Sequence, residues 1–140
     1  MIDGRCRIWV DGRSSEISSV APLESALVSA WCAGTGRVVR VRLGRVVLAS
    51  DGSDASAVSV ETGGGNVVCS PDTLFVLGDR SFKAARDVRP GDRMMGRDAR
   101  ALPVVERVSD VSGRCRHMYD VLVPGKHNFL CEGLVIKCRA

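Results

Sequence analysis

The stretch Ser70-Pro71-Asp72-Thr73 places two hydroxyls and a carboxylate in one tight turn, inside "VVCSPDTLFVLGDRSFKAARDVRPGDRMMG". It has the outline of a catalytic loop, yet none of the four side chains is an imidazole able to give and take a proton near pH 7. The chain has two histidines, His117 and His127, both far along the sequence. Six cysteines offer thiols: Cys6, Cys32, Cys69, Cys115, Cys131 and Cys138. They form no CxxC pair, and their spacings match no common zinc pattern. Without a secretion signal they read as reduced, mostly buried, small apolar residues. No metal and no other cofactor is expected.

The elements that must position these residues are strands. At 140 residues the chain reads as one domain, residues 1–140, able to bury roughly two-thirds of its unfolded surface. Aromatics are few, so the core must rest on Val, Leu, Ile and Ala. No apolar run approaches the roughly 20 residues that span a bilayer, and "MIDGR" is not followed by the apolar segment of a signal peptide. No membrane partner is expected, and the cytoplasm of the producing cell is the expected location. Only Lys83, Lys126 and Lys137 are lysines among 20 basic residues, the rest being arginine. The arginines alternate with acids, which describes a solvated mixed surface better than a nucleic-acid footprint. A basic ridge of Arg37, Arg40, Arg42 and Arg45 is the weaker alternative. The Arg-, Val-, Ala- and Gly-heavy composition points to a GC-rich coding genome, actinobacterial or that of an actinobacterial virus.

Along the chain, "CRIWVDGRSSEI" alternates and then breaks at Asp11-Gly12, a hairpin signal. "ISSVAPLESALVSAWCAG" has some helical character, interrupted by Pro22, so any helix there is short. "RVVRVRLGRVVLAS" sets Val39, Val41 and Leu43 on one face and Arg40 and Arg42 on the other, the period of a half-buried strand. "AVSVET" and "NVVCS" flank Gly63-Gly64-Gly65, a second hairpin. "RALPVVERVSDVSGRCRHMYDVLVP" reads as long β pairing with a turn near Ser112-Gly113. "GKHNFLCEGLVIKCRA" reads as turn, strand, Gly133 and a final strand. Many short strands with Gly/Asp turns make an all-β sandwich or barrel-like domain.

The chain resembles the Hint family, the domains of inteins and hedgehog-type self-processing proteins, across about 138 residues. Four blocks carry the resemblance. "MIDGRCRIWVDGR" is similar to an intein start, and "CSPDTLFVL" to the Thr-x-x-His block. "FKAARDVRPGDRMM" is similar to the Trp-x-x-Ala-x-x-Leu-x-x-Gly-Asp segment that follows. "YDVLVPGKHNFLCEGLVIKC" is similar to the closing block of Tyr-Asp, His-Asn-Phe and a terminal His-Asn. The resemblance implies a compact all-β Hint fold with a pseudo-two-fold, horseshoe-like arrangement of strands and little helix. The length implies a minimal domain without a homing endonuclease.

Splicing by that family needs a thiol or hydroxyl at the first residue, a His to activate the amide it attacks, and a terminal Asn that cyclises. Carried onto this chain, the resemblance puts Met1 at the nucleophile, and a thioether cannot attack a carbonyl. If Met1 is also the initiator, no upstream peptide exists to cleave. Ser70 takes the Thr position and Thr73 the His position, which removes the proton donor. Lys137 stands at the penultimate His and Cys138 at the cyclising Asn. Asp120 and His127 match family residues, but both read as structural: Asp120 bonding backbone donors near a strand end, His127 pinning the turn after Pro124-Gly125. Cys6 falls on a Thr five residues from the start, and His117 has no match.

No complete splicing site is therefore expected, and the chain is expected not to be an enzyme. The expected role is a domesticated intein-like structural or interaction module with protein partners, of the kind a bacteriophage would carry as a virion, head-tail or tail assembly component. Two alternatives stay open: residual self-cleavage with Cys6 or Cys138 as nucleophile and His127 as acid or base, and an intein inactivated by mutation.

Overall fold

Strand β2 (Arg7–Val10) shows the rule on which the whole chain is built: Ile8 and Val10 are buried while Arg7 and Trp9 are exposed, because successive side chains of a strand point to opposite faces. A computed structural model describes residues 1–20, 26–50, 56–98, 101–113 and 117–138. Before β2 comes β1 (Ile2–Asp3), and after it β3 (Arg13–Glu16), β4 (Leu27–Cys32), β5 (Arg37–Arg42), β6 (Arg45–Ser50), β7 (Val58–Thr62) and β8 (Gly65–Cys69). Then follow β9 (Leu74–Val76), β10 (Phe82–Ala84), β11 (Val105–Asp110), β12 (Met118–Leu122), β13 (Asn128–Cys131) and β14 (Leu134–Lys137). Among the described residues helix is confined to one turn, α1 (Ile17–Val20), which buries Ile17 and Val20, and a 3-10 turn over Ala85–Asp87. The helical reading of this segment holds only over Ile17–Val20; its later part, Leu27–Cys32, is strand β4, and Pro22, held to interrupt the helix, lies outside the described residues.

Two antiparallel sheets result, in the curled half-barrel arrangement. One has the order β11-β7-β8-β1-β12-β6; the other runs β10-β9-β14-β13-β2-β4-β5, with β3 added on β2. They close on a shared core in which Ile2, Val67, Cys69 and Val121 of the first sheet join Ile8, Val28, Phe75, Phe129 and Ile136 of the second. The all-β class and the little helix agree with the sequence reading. The hairpins agree as well. Asp11 (φ 51°) and Gly12 (φ 81°) form the two-residue turn between β2 and β3, both in the left-handed region that a primed turn demands. Gly63-Gly64 turn β7 into β8, and Glu132-Gly133 turn β13 into β14.

Two expectations are corrected. "RVVRVRLGRVVLAS" is not one strand but two, β5 and β6, in different sheets. Val39 and Val41 are half-buried and Leu43 is buried, but the ladder stops at Arg42. At Gly44 the chain crosses between sheets, its N–H donating to Leu122 O at 2.9 Å. A Cβ on Gly44 would lie 2.7 Å from Pro124 Cδ and 2.9 Å from Leu122 O, so this crossing needs a residue without a side chain. The second correction concerns the segments on either side of Ser112-Gly113. The turn is there, but β11 and β12 do not pair; β7, β8 and β1 lie between them. β11 instead runs along β7, and β12 along β1 and β6.

Candidate functional site

The two central positions of the sheets bring distant residues together. β1 lies between β8 and β12, with Ile2 opposite Cys69 and also opposite Tyr119. One residue back along each antiparallel ladder, Met1 must therefore meet Ser70 on one side and Asp120 on the other. In the second sheet β14 pairs with β9, Lys137 opposite Leu74, which carries Cys138 to Thr73. Met1, Thr73, Asp120, Lys137 and Cys138 consequently line one cavity of about 80 Å³, together with Ile2, Asp72, Tyr119 and Phe129 among others.

Ser70 and Thr73 hold the start of the chain there. The Met1 nitrogen donates to Ser70 Oγ at 3.0 Å, Ser70 Oγ and Thr73 Oγ1 are 2.9 Å apart, and Thr73 Oγ1 donates to Met1 O at 3.2 Å. With Ser70 donating to Thr73, all three bonds are satisfied in a closed ring. Ser70 N also donates to Met1 O at 2.8 Å. The turn itself is closed by the backbone, Thr73 N to Ser70 O at 3.1 Å. The two hydroxyls thus act across the sheet on Met1. Asp120 Oδ1 approaches the Met1 nitrogen at 3.3 Å, so this carboxylate also addresses the chain start.

Across the cavity, Cys138 is 5 % exposed, and burial pushes its thiol up to about 11, because a thiolate is poorly solvated there. At neutral pH it is a thiol, which is a weak nucleophile. The Lys137 ammonium lies 4.8 Å from the centroid of the Phe82 ring, a cation–π contact. The cavity thus holds hydroxyls, carboxylates, an ammonium and a protonated thiol, and no imidazole lines it.

The remaining sequence candidates lie elsewhere. His127 is exposed on the turn after Pro124-Gly125, at φ 56°. Its backbone fastens that turn, N–H to Val123 O at 2.9 Å and O from Cys138 N at 2.7 Å, while the residue lines a different groove. His117 is exposed. Cys6 is buried away from the cavity, its Sγ accepting from Val68 N at 3.4 Å. Cys131, buried beside Cys6, has its thiol pushed well up by that thiol and by burial. The cysteines among the described residues are unbridged; Cys115 lies outside them. Arg37, Arg40 and Arg42 are exposed on β5, and Arg45 on β6 belongs to the other sheet.

Sequence reasoning passed over Asn128, the middle residue of His127-Asn128-Phe129. Its Oδ1 accepts from Trp31 N at 2.7 Å and its Nδ2 donates to Trp31 O at 2.9 Å and Lys126 O at 3.1 Å. The buried amide thereby pairs with β4 as a neighbouring strand would. Its partner is 97 residues away, so no local pattern could have marked it.

The arrangement of strands is shared with solved structures. Over its whole length the chain superposes on the DnaB intein from Synechocystis sp. PCC 6803 with a TM-score of 0.87 at 14% identity, covering 99% of this chain and 98% of that one. The chain has the Hint fold. The DnaX mini intein from Spirulina platensis superposes at a TM-score of 0.78 with 22% identity, over 97% of this chain and 98% of that one. The PabCDC21-1 intein gives 0.78 with 19% identity, over 99% and 98%. No protein-family model and no curated protein matches the sequence. The Hint fold is thus shared at an identity where side chains have largely been replaced, and the backbone course carries the likeness.

Proposed function

We propose that this Hint-fold chain does not splice and serves as a structural or interaction module with protein partners. The observation that carries the reading is the cavity joining Met1, Thr73, Asp120, Lys137 and Cys138, which has no imidazole on its lining and whose thiol is held protonated by burial. Acyl transfer there lacks an activated nucleophile, and amide cleavage lacks a general acid with a pKa near neutrality. Residual cleavage through Cys138 and His127 is disfavoured because the two residues line different cavities; Cys6 is buried in a third place.

The test is to place the chain between two unrelated flanking segments and follow intact mass with and without added thiol. A single unshortened precursor under both conditions is expected. Thiol-dependent shortening would overturn the reading.

The finer part of the proposal is a virion, head-tail or tail assembly component of a bacteriophage. It is supported by the Arg-, Val- and Gly-heavy composition and by exposed apolar side chains such as Leu48, Phe82 and Val104, which suit a partner surface. Isolation from the native particle or cell with partners retained is expected to recover assembly subunits. Recovery of this chain alone, absent from particles, would overturn it.

A further inference from the structure

Beside the end of β4 lies a groove of about 330 Å³, lined among others by Trp31, Cys32, Phe82, Lys126, His127 and Lys137. It shares Lys137 with the cavity at Met1, but its other lining residues are different. Cys32 is half-buried, whereas Cys6, Cys69, Cys131 and Cys138 are all buried. Lys126 Nζ donates to Cys32 Sγ at 3.3 Å. Trp31, 7 % exposed, also lines the groove, and its buried Nε1 has no hydrogen-bond partner among the described residues. A buried donor left unpaired is costly, and an acceptor brought into the groove would relieve it.

The charges facing Cys32 are of one sign. Lys126 comes from the turn after Pro124-Gly125, Lys137 from β14, and Arg37 stands opposite Cys32 on β5. Among the described residues no carboxylate lines the groove. We propose that Cys32 is a thiol-modification site that reacts with small disulfides bearing carboxylates, which the cationic groove gathers.

The step balances without another oxidant. The Cys32 thiolate attacks one sulfur of R–S–S–R; a Cys32 Sγ–S bond forms as the S–S bond breaks, and the other half leaves as R–S⁻. The Cys32 sulfur is oxidised and the departing sulfur reduced. Geometry also prepares the attacking form. Hydrogen bonds from the Thr35 hydroxyl, the Thr35 N–H and the Lys126 ammonium bring the thiol down to about 6, so it is largely thiolate at neutral pH.

The experiment uses the chain carrying Cys115→Ser, which removes the one cysteine of undescribed surroundings. It is treated with 5,5′-dithiobis(2-nitrobenzoate), a dicarboxylate disulfide, and separately with cystamine, a cationic one, each rate being divided by that for free cysteine. The expected result is one rapid equivalent, located at Cys32 by peptide mapping, with a rate midpoint at about pH 6. The dicarboxylate is expected to gain roughly tenfold over cystamine at low salt, and to lose that gain as salt screens the groove. Lys126→Gln is expected to slow the reaction by roughly tenfold at slightly acid pH, as the thiolate fraction falls. Label on another cysteine, a midpoint at about 9, or equal normalised rates for the two disulfides would each overturn the proposal.

Discussion

Cys138 donates its backbone N–H to the carbonyl of His127 at 2.7 Å, yet the two residues line different cavities. The bond holds the last strand against the turn after Pro124-Gly125. It brings two chemically interesting residues into contact through their backbones while leaving the thiol and the imidazole to separate surroundings. Backbone contact between two residues therefore does not bring their side chains into one cavity.

Because burial holds the Cys138 thiol at about 11, against an ordinary value of 9.0, the folded state disfavours the thiolate. The resulting stability is complete below pH 9 and is lost as pH rises from about 9 to about 11. Two pKa units correspond to at most about 2–3 kcal/mol. Urea unfolding across that interval is expected to show a steep loss for the unsubstituted chain and a shallower one for Cys138→Ala.

The ring of Met1, Ser70 and Thr73 predicts non-additive losses. Thr73→Val keeps the shape but removes the hydroxyl, and Ser70→Ala removes its neighbour. Each is expected to cost about 1–2 kcal/mol. Denaturation of the double variant is expected to cost less than the sum, by about 0.5–1.5 kcal/mol, since either change already opens the ring.

Asp92, in the Pro90-Gly91-Asp92 loop, accepts from Lys83 Nζ at 3.1 Å and from Arg89 N at 2.9 Å. Burial alone would push its carboxyl up, but the Arg89 N–H and the Lys83 ammonium outweigh this and hold it below the ordinary range. Its contribution is therefore present above about pH 4 and lost as pH falls through the lowered value. Asp92→Ala is expected to destabilise by about 1–2 kcal/mol at neutral pH, and chemical denaturation in acid is expected to show that gap closing.

Gly44→Ala tests the crossing between sheets. The added methyl would meet the Pro124 ring and the Leu122 carbonyl below 3.0 Å, and backbone on one side cannot yield as a flexible side chain can. The expected cost is about 1–3 kcal/mol, read as a lowered thermal midpoint with the β-rich far-UV spectrum retained.

What the sequence determined by itself is local. Asp11-Gly12 and Gly133 announce turns because left-handed backbone is cheap for those residues, and Ile8 and Val10 announce a buried face because strands alternate. Block order and spacing also carried the resemblance to the Hint fold. The tertiary structure alone decided which strands pair. "RVVRVRLGRVVLAS" alternates as one strand would, yet it divides at Gly44 because each half finds a different sheet, and β12 pairs with β1 and β6 instead of its sequence neighbour β11. Those choices follow from burying a core shared by both sheets, a property of the whole chain that no short window contains. The same holds for the sites. Cys32 and Lys126 are 94 residues apart, and Met1 reaches Asp120 only because β1 is clamped between β8 and β12; residue type was legible in the sequence, while the neighbours that set each residue's chemistry were decided by folding.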